Sequence, residues 1–335
     1  MATIVDVAER AGVSISTVSH VVNGTRRVAE KTRQRVLAAI EEVGYRQDTL
    51  ARSLRRSRTD SVGLVVSDPG QPTFADMVRG VEHEATQAGY TLLLATSGED
   101  PAHEARSLHV LTARRVDGLI VAPVAHSDGR ETDAIREAGT PVVFMDRIGS
   151  GRSGDQVGVE NTRPMRELVG HLIEHGHRRI ALAAGDLAVS TIAERHLGYT
   201  TALRDAGVEP DPALLITGSG LAAETRAAAA VLLGGERRPE AFVCASTETA
   251  AGVLAAAADL GLRVPDDLRL AVFDGFPHAD LFEPRITTVR QPAFDIGATA
   301  MRLLLRRMNE DAPDGDEVVR LEPTITYRTS CGCAD

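Results

Sequence analysis

The sequence predicts two architectures in one chain: a small all-α helix-turn-helix head, then a two-lobed α/β body with parallel sheets. Three observations carry this. Residues 1–60 hold eleven Lys/Arg against seven Asp/Glu, whereas the remaining 275 hold 26 against 40, so a basic module precedes an acidic one. The basic module contains three short helical patterns separated by glycines. From Ser61 onward, apolar runs alternate with longer amphipathic stretches, the pattern of parallel strands wrapped by helices. With 335 residues and 43% hydrophobic content the chain can bury a sizeable core. No apolar run approaches the roughly 18 residues needed to span a bilayer, so no membrane partner is expected. The opening MATIVDVAER shows no basic segment followed by an apolar one, which leads us to expect a cytoplasmic protein.

In the head, Thr3 is positioned to cap a helix carrying Ile4, Val7 and Ala8, with Asp6 at capping-box spacing. Gly12 breaks that helix. Ser14 can cap a second one, on which Val18, Val21 and Val22 share a face while Ile15, Ser16, Ser19 and His20 lie on the others. Short hydroxyls and an imidazole can approach phosphates and base edges closely. Asn23-Gly24 ends this helix, and Val28 to Val43 reads as a third, with Val36, Leu37, Ile40 and Val43 inward. Helix, glycine turn, helix and third helix is the helix-turn-helix pattern. DTLARSLRRSR, residues 48–58, follows as a short basic stretch with Leu50 and Leu54 four apart. The expected boundaries are a helix-turn-helix DNA-binding domain at 1–47, a linker at 48–60, an α/β body at 61–328 and a tail at 329–335.

TIVDVAERAGVSISTVSHVVNG, then VAEKTR, GY and LARSL, resembles the lactose-repressor (LacI/GalR) family, and the resemblance covers nearly the whole chain. It implies a homodimer, or a higher oligomer, on palindromic operator DNA, with the linker at 48–60 as a hinge helix and the body at 61–328 binding an effector and dimerising. By motif position, Ile15, Ser16 and His20 would read bases, Thr17, Ser19 and Asn23 would hold phosphates, and Arg26 would supplement the readout. The caps Thr3 and Ser14 join that DNA-facing set. On the linker, Leu54 would wedge between base pairs, flanked by Ala51 and Arg55; unstacking costs a few kcal/mol per step but lets a kinked duplex contact more protein.

In the body, SVGLVVSD, YTLLLATS, VDGLIVAP, PVVFMD, RIALAAG, AFVCAS and LRLAVFD read as strands. Phe74–Gly89, Pro164–His175, Glu194–Ala206, Thr247–Leu260 and Phe294–Met308 read as helices. Two such blocks, near 61–160 and 162–289, followed by a return segment, predict two similar lobes with a cleft between them. The resemblance implies the same periplasmic-binding-protein-like body, with a small-molecule effector bound between the lobes.

Ligands of open α/β sheets sit beyond the carboxyl ends of strands. Phe74, after the first strand, can stack on a sugar face or base. At the end of VVFMD, Asp146 and Arg147 offer an acceptor and a donor to a polyol. The resemblance places Arg195, in ERHLGY, and Asp274, at the end of VFD, in the effector cleft, and Leu221 on its outer wall. It also exposes departures. Ser246-Thr247 stands where many members carry Asn-Asp. Thr73-Phe74 and Arg147 replace aromatics of the family's purine-responsive members. A sugar or sugar derivative is therefore favoured as effector; a purine or nucleoside is the alternative of the same type, and a cytosolic solute-binding protein without a DNA role the alternative of another class.

Two signals are set aside. GSGRSG at 149–154 satisfies G-x-G-x-x-G, but DQVGV follows instead of a helix, so a dinucleotide fingerprint is not supported. His171, His175 and His177 are read as charge near a helix C-terminus rather than a metal site, because Gly176 should end that helix. Cys331 and Cys333 are read as part of a loose, inert tail. No P-loop or nucleophile elbow is present, so neither an enzyme nor a cofactor is expected.

Overall fold

The computed structural model describes residues 2–23, 26–45, 58–149, 152–276, 279–281, 283–309 and 311–333, with Asn23 described in its backbone alone. The chain divides into two compact units, residues 1–59 and 60–335. In the first, α1 (Ile4–Ala11), α2 (Ile15–Asn23) and α3 (Glu30–Val43) enclose a small core of Val7, Ala8, Ala11, Val18, Val36 and Ala39. Thr3 caps α1 in a capping box: its hydroxyl accepts from the Asp6 amide at 3.4 Å, and its own amide donates to the Asp6 carboxylate at 2.7 Å. Gly12 stops α1 at φ 60°, a left-handed conformation that glycine adopts without steric cost. The third helix departs from the sequence reading in two ways. It starts at Glu30 rather than Val28, and Leu37 is 44% exposed instead of inward. Val36, Ala39, Ile40 and Val43 are spaced three, four and seven apart, and Leu37 lies about 100° round the helix from Val36, off that stripe.

The second unit is built from two sheets. β1 (Ser61–Val66), α4 (Pro72–Gln87), β2 (Thr91–Thr96), α5 (Pro101–Ala113), β3 (Gly118–Val121), α6 (Arg130–Glu137), β4 (Val142–Asp146) and β5 (Asp155–Val159) form the first lobe. The second comprises α7 (Thr162–Glu174), β6 (Ile180–Gly185), α8 (Ser190–Asp205), β7 (Leu215–Thr217), α9 (Ala222–Leu233), β8 (Ala241–Cys244), α10 (Thr247–Asp259), β9 (Arg269–Phe273) and β10 (Thr287–Arg290). The chain then returns: α11 (Ala293–Met308) and β11 (Val318–Leu321) complete the first lobe, and β12 (Thr324–Thr326) the second.

Strand orders are β11-β5-β4-β3-β1-β2 and β12-β10-β9-β8-β6-β7, so the lobes repeat one doubly wound topology with an added return strand each. Among the described residues every strand pairing is parallel except β10 with β12. Helices cover both faces, which is why the strands read as continuous apolar runs. In the first lobe α4 and α11 cross almost backbone to backbone. A Cβ on Gly297 would fall 2.0 Å from the Met77 carbonyl oxygen, so only glycine fits there.

Residues 155–159 form β5 rather than a helix, which leaves the glycine-rich stretch before it without the helix N-terminus that a pyrophosphate site needs. α7 does end before Gly176, at φ 90°, and His177 leaves the helix, its amide bonding the Leu172 carbonyl. The reading of residues 329–335 as a loose tail is corrected by the described part of that segment. Thr329–Cys331 form a 3-10 turn, and Ser330 and Cys331 are buried in the second lobe. The Ser330 hydroxyl donates to the Leu270 carbonyl at 2.7 Å and accepts from the Thr287 amide at 2.8 Å. These backbone groups lie at the start of the β9–β10 pair, where buried polar atoms need a partner.

Candidate functional site

The doubly wound topology aims the carboxyl ends of both sheets at one cleft. A cavity of about 410 Å³ lies there, with walls from both lobes. All eight residues singled out for the cleft line it: Thr73, Phe74, Asp146 and Arg147 from the first lobe, and Arg195, Leu221, Ser246 and Asp274 from the second. Their availability differs. Phe74 is mostly buried in the first lobe's core and presents little of its ring, while Leu221 is 62% exposed on the rim. Ser246 is occupied in capping α10, its hydroxyl accepting from the Thr249 amide at 3.2 Å.

In the second lobe, Arg195 comes from α8 and is 3% exposed. Its guanidinium lies over the Phe273 ring, 3.9 Å from the centroid. Nε donates to Asn161 Oδ1 at 2.9 Å, and Nη1 donates to the Ala245 carbonyl at 2.6 Å and to Asp274 Oδ2 at 3.3 Å. Gln291 donates to the other Asp274 oxygen. A buried charge with several partners and an aromatic platform is held in one rotamer, as a binding group must be.

In the first lobe the adjacent pair behaves otherwise. Arg147 turns to Glu99, which accepts from both amino groups at 2.8 and 2.6 Å, and it also donates to the Pro123 carbonyl at 3.0 Å. The expectation that Asp146 and Arg147 act as a matched acceptor and donor is thereby modified, since both amino groups of the arginine are engaged by Glu99 and only Nε is left towards Asp146. Burial pushes Glu99 up, but the Arg147 hydrogen bonds and charge outweigh it and hold its pKa below the usual value. Asp146, 3.7 Å from Arg147 Nε, keeps no comparable partner. Burial raises its pKa to about 6, opposed by Arg147 and Arg195 and reinforced by Asp274 and Glu99.

Sequence reasoning missed several wall residues. Glu99 and Gln291 lie in loops whose distance in sequence from Arg147 and Asp274 gave no signal. His126 of the first lobe faces Asp186 of the second across the opening at 3.6 Å. Asn161, at the crossing from β5 to α7, bridges Arg195 to Glu194, which itself pairs with Arg320 at 2.7 Å. Two buried polar atoms of wall residues, Arg147 Nε and Gln291 Oε1, have no hydrogen-bond partner.

In the head, Ser14 caps α2, its hydroxyl accepting from the Thr17 amide at 3.2 Å and touching the Ser16 and Thr17 hydroxyls at 2.8 Å. Val18 is fully buried, whereas Ile15 is 49% exposed and Ser16 is exposed beside it. Thr17, Ser19 and His20 are half-buried, and Arg26 is exposed. A large β-branched side chain kept out of the core at the start of the second helix fits contact with another molecule. Ala51, Leu54 and Arg55, and the Asn23 side chain, lie outside the described residues.

A helix-turn-helix head joined to a two-lobed body with a polar interlobe cleft defines a ligand-responsive DNA-binding regulator. Residues 3–48 match the model of the lacI family of bacterial regulatory proteins, and residues 169–331 that of a periplasmic binding protein-like domain. The chain is 35% identical over 331 residues to the HTH-type transcriptional repressor PurR of Erwinia tasmaniensis, covering 98% of this chain and 97% of that one. It is also similar to a structure of the lac repressor dimer bound to operator and the anti-inducer ONPF, with 27% identity, TM-score 0.87 and coverage of 98% and 99%. A CelR–cellobiose complex superposes with TM-score 0.74 at 32% identity, covering 98% and 100%. The chain belongs to the lacI family of bacterial regulatory proteins and is a DNA-binding transcriptional repressor of that type.

Proposed function

We propose that this repressor binds a palindromic operator as a homodimer and that a sugar-like polyol in the interlobe cleft sets its affinity for DNA. The observation that carries the ligand reading is the pair of buried atoms without a hydrogen-bond partner, a donor on Arg147 and an acceptor on Gln291, beside two strand-end aspartates. Buried polar atoms of this kind are complemented by a ligand with several hydroxyls, each able to donate and accept. A purine reading draws support from the PurR relatives, and a sugar reading from the cellobiose complex. The cleft favours the sugar, since among the described residues Phe74 is its one Phe, Tyr or Trp side chain and is largely buried. A flat base would have no pair of rings to lie between.

In this reading Ile15, Ser16 and His20 meet base edges, with Thr17, Ser19, Asn23 and Arg26 on phosphates, Thr3 and Ser14 at the helix caps, and Leu54, flanked by Ala51 and Arg55, as the minor-groove wedge. Ligand changes lobe closure and with it the spacing of the two heads. The protein acts in the cytoplasm without enzymatic activity.

A thermal-shift screen of sugars, sugar phosphates, nucleosides and purines tests the ligand class, because a ligand of the folded state alone raises apparent stability. Stabilisation by purine bases and by no sugar overturns the sugar reading. Gel shifts with operator-type DNA test the other half: Ile15→Ala and His20→Ala each change base preference by about 1–3 kcal/mol per contacted position. Unchanged preference in both removes those residues from the readout.

A further inference from the structure

Far from the cleft wall in sequence, the C-terminal segment carries two thiols to the end of α7. His171 and His175 stand one helical turn apart and so share a face. Gly332, at φ 92°, reverses the chain between Cys331 and Cys333, which brings both sulfurs to that face. His171 Nε2 lies 3.4 Å from Cys331 Sγ and 3.3 Å from Cys333 Sγ, the two sulfurs are 3.3 Å apart, and His175 Nε2 is 4.0 Å from Cys333 Sγ. With Zn–S bonds near 2.3 Å and Zn–N bonds near 2.0–2.1 Å, a tetrahedral site has ligand-to-ligand edges of about 3.3–3.8 Å. The ligand atoms of His171, His175 and Cys333 lie within 4.8 Å of one another, and Cys331 Sγ is at tetrahedral-edge distance from two of these residues, so a small shift of the His175 ring and the Cys331 sulfur closes the four around one ion.

A second observation concerns how the rings are held. His175 Nδ1 is 2.8 Å from the His171 carbonyl oxygen. A carbonyl only accepts, so Nδ1 carries the proton and Nε2 presents its lone pair towards Cys333. That outer hydrogen bond is the arrangement that orients a metal-ligating histidine. The Tyr327 ring stacks on His171, with centroids 4.1 Å apart and planes at 29°, fixing that imidazole as well.

We propose that His171, His175, Cys331 and Cys333 form a structural Zn2+ site that fastens the C-terminal segment to α7 of the second lobe. Two thiolates and two imidazoles in a tetrahedron select zinc over hard cations such as Mg2+ or Ca2+. On binding, each thiol gives its proton to solvent as its Zn–S bond forms; Cys331, which donates to the Arg328 carbonyl at 3.0 Å, exchanges that bond for the metal. All four ligands are supplied by protein, as in closed structural sites rather than catalytic ones. Because His171 and Cys333 are far apart in sequence, the metal would close a long loop of chain that runs through both lobes.

The test uses the full chain, purified without a histidine tag under reducing conditions, with zinc measured by mass spectrometry and Co2+ titrated as a coloured probe. One equivalent of zinc per chain is expected. Co2+ should give tetrahedral d–d bands and a thiolate-to-cobalt charge-transfer band, and chelation should lower the melting temperature. Cys331 is buried and its replacement risks the fold, so the informative variants are Cys333→Ser and His175→Ala at more exposed positions. Each should retain the wild-type circular dichroism and lose at least tenfold in Co2+ affinity, and Cys333→Ser should weaken the charge-transfer band. Reduced wild-type protein holding less than a tenth of an equivalent of zinc and giving no cobalt spectrum overturns the proposal. So does a Cys331–Cys333 disulfide in the freshly purified reduced protein, or unchanged Co2+ binding in both variants.

Discussion

The two lobes place an aspartate at the same point of the same topology and use it differently. Asp146 terminates β4 and Asp274 follows β9, the fourth strands of their sheets in each doubly wound order, and both adopt left-handed φ, 71° and 74°. In the second lobe the neighbouring arginine arrives from a helix and bonds the carboxylate directly. In the first the arginine is the next residue in the chain and is drawn to Glu99. One backbone device thus carries a carboxylate hydrogen-bonded on both oxygens on one wall and a poorly compensated one on the other. Repetition of topology conserves where an acid sits, while the side chains around it decide its charge.

The sharpest way to break this contrast is to remove the second lobe's arginine. Arg195→Ala leaves Asp274, Asn161 and the Ala245 carbonyl short of a partner in a buried setting, and is expected to destabilise the body by about 3–5 kcal/mol. Urea denaturation of wild type and variant measures it. A loss under 1 kcal/mol would show that the pair holds little of the second lobe together.

Asp274→Ala should act on ligand more than on fold. With the best compound from the screen, calorimetry is expected to show a loss of about 1–3 kcal/mol, roughly 5- to 150-fold in affinity. DNA binding without ligand should persist if ligand induces release. Wild-type ligand affinity in both this variant and Arg195→Ala would move the effector out of the cleft.

The first lobe should respond to pH instead. Asp146 has a folded-state pKa raised to about 6, so its protonated form is favoured by folding. The stability this confers is fully present below the unfolded pKa of about 3.9 and is lost as pH rises through about 6. Ligand binding that uses the carboxylate as acceptor runs the other way. Between pH 7.5 and pH 5.5 the ionised fraction falls to about a quarter, so affinity should drop about fourfold in the wild type and not at all in Asp146→Asn. Equal pH dependence in both proteins would assign the effect to a group other than Asp146.

The smallest effect is expected at the rim. Leu221 is 62% exposed, and Leu221→Ala should change stability by no more than about 0.5 kcal/mol. A larger loss in the melting curve would mean that the second lobe's wall is packed rather than open.

Much of this was legible in the sequence because it depends on local periodicity and chain-end chemistry. The capping box of Thr3 and Asp6, the break at Gly12, the buried Val18 beside the outward Ile15, and the strand-ending aspartates all follow from short-range spacing, and so do the two α/β blocks. Short edge strands such as β7 and β12 lack enough residues to establish a period, and their identity comes from the neighbour they pair with. The partners of charge were likewise decided by tertiary structure alone. Nothing adjacent to Arg147 indicates that Glu99 will take it, because that contact spans 48 residues and is set by where α5 and β4 bring their ends. The same holds for the terminal cysteines. By spacing they form a short polar tail, yet Ser330 satisfies the backbone of β9 and β10 and thereby carries Cys331 and Cys333 to His171 and His175 at the end of α7. Local sequence determines most helices and the longer strands, since helix hydrogen bonds close within four residues and a buried strand is marked by its own apolar run even though its partners are remote. Electrostatic and ligand chemistry depends on distances of a few ångströms between remote residues, and only the packed fold determines those.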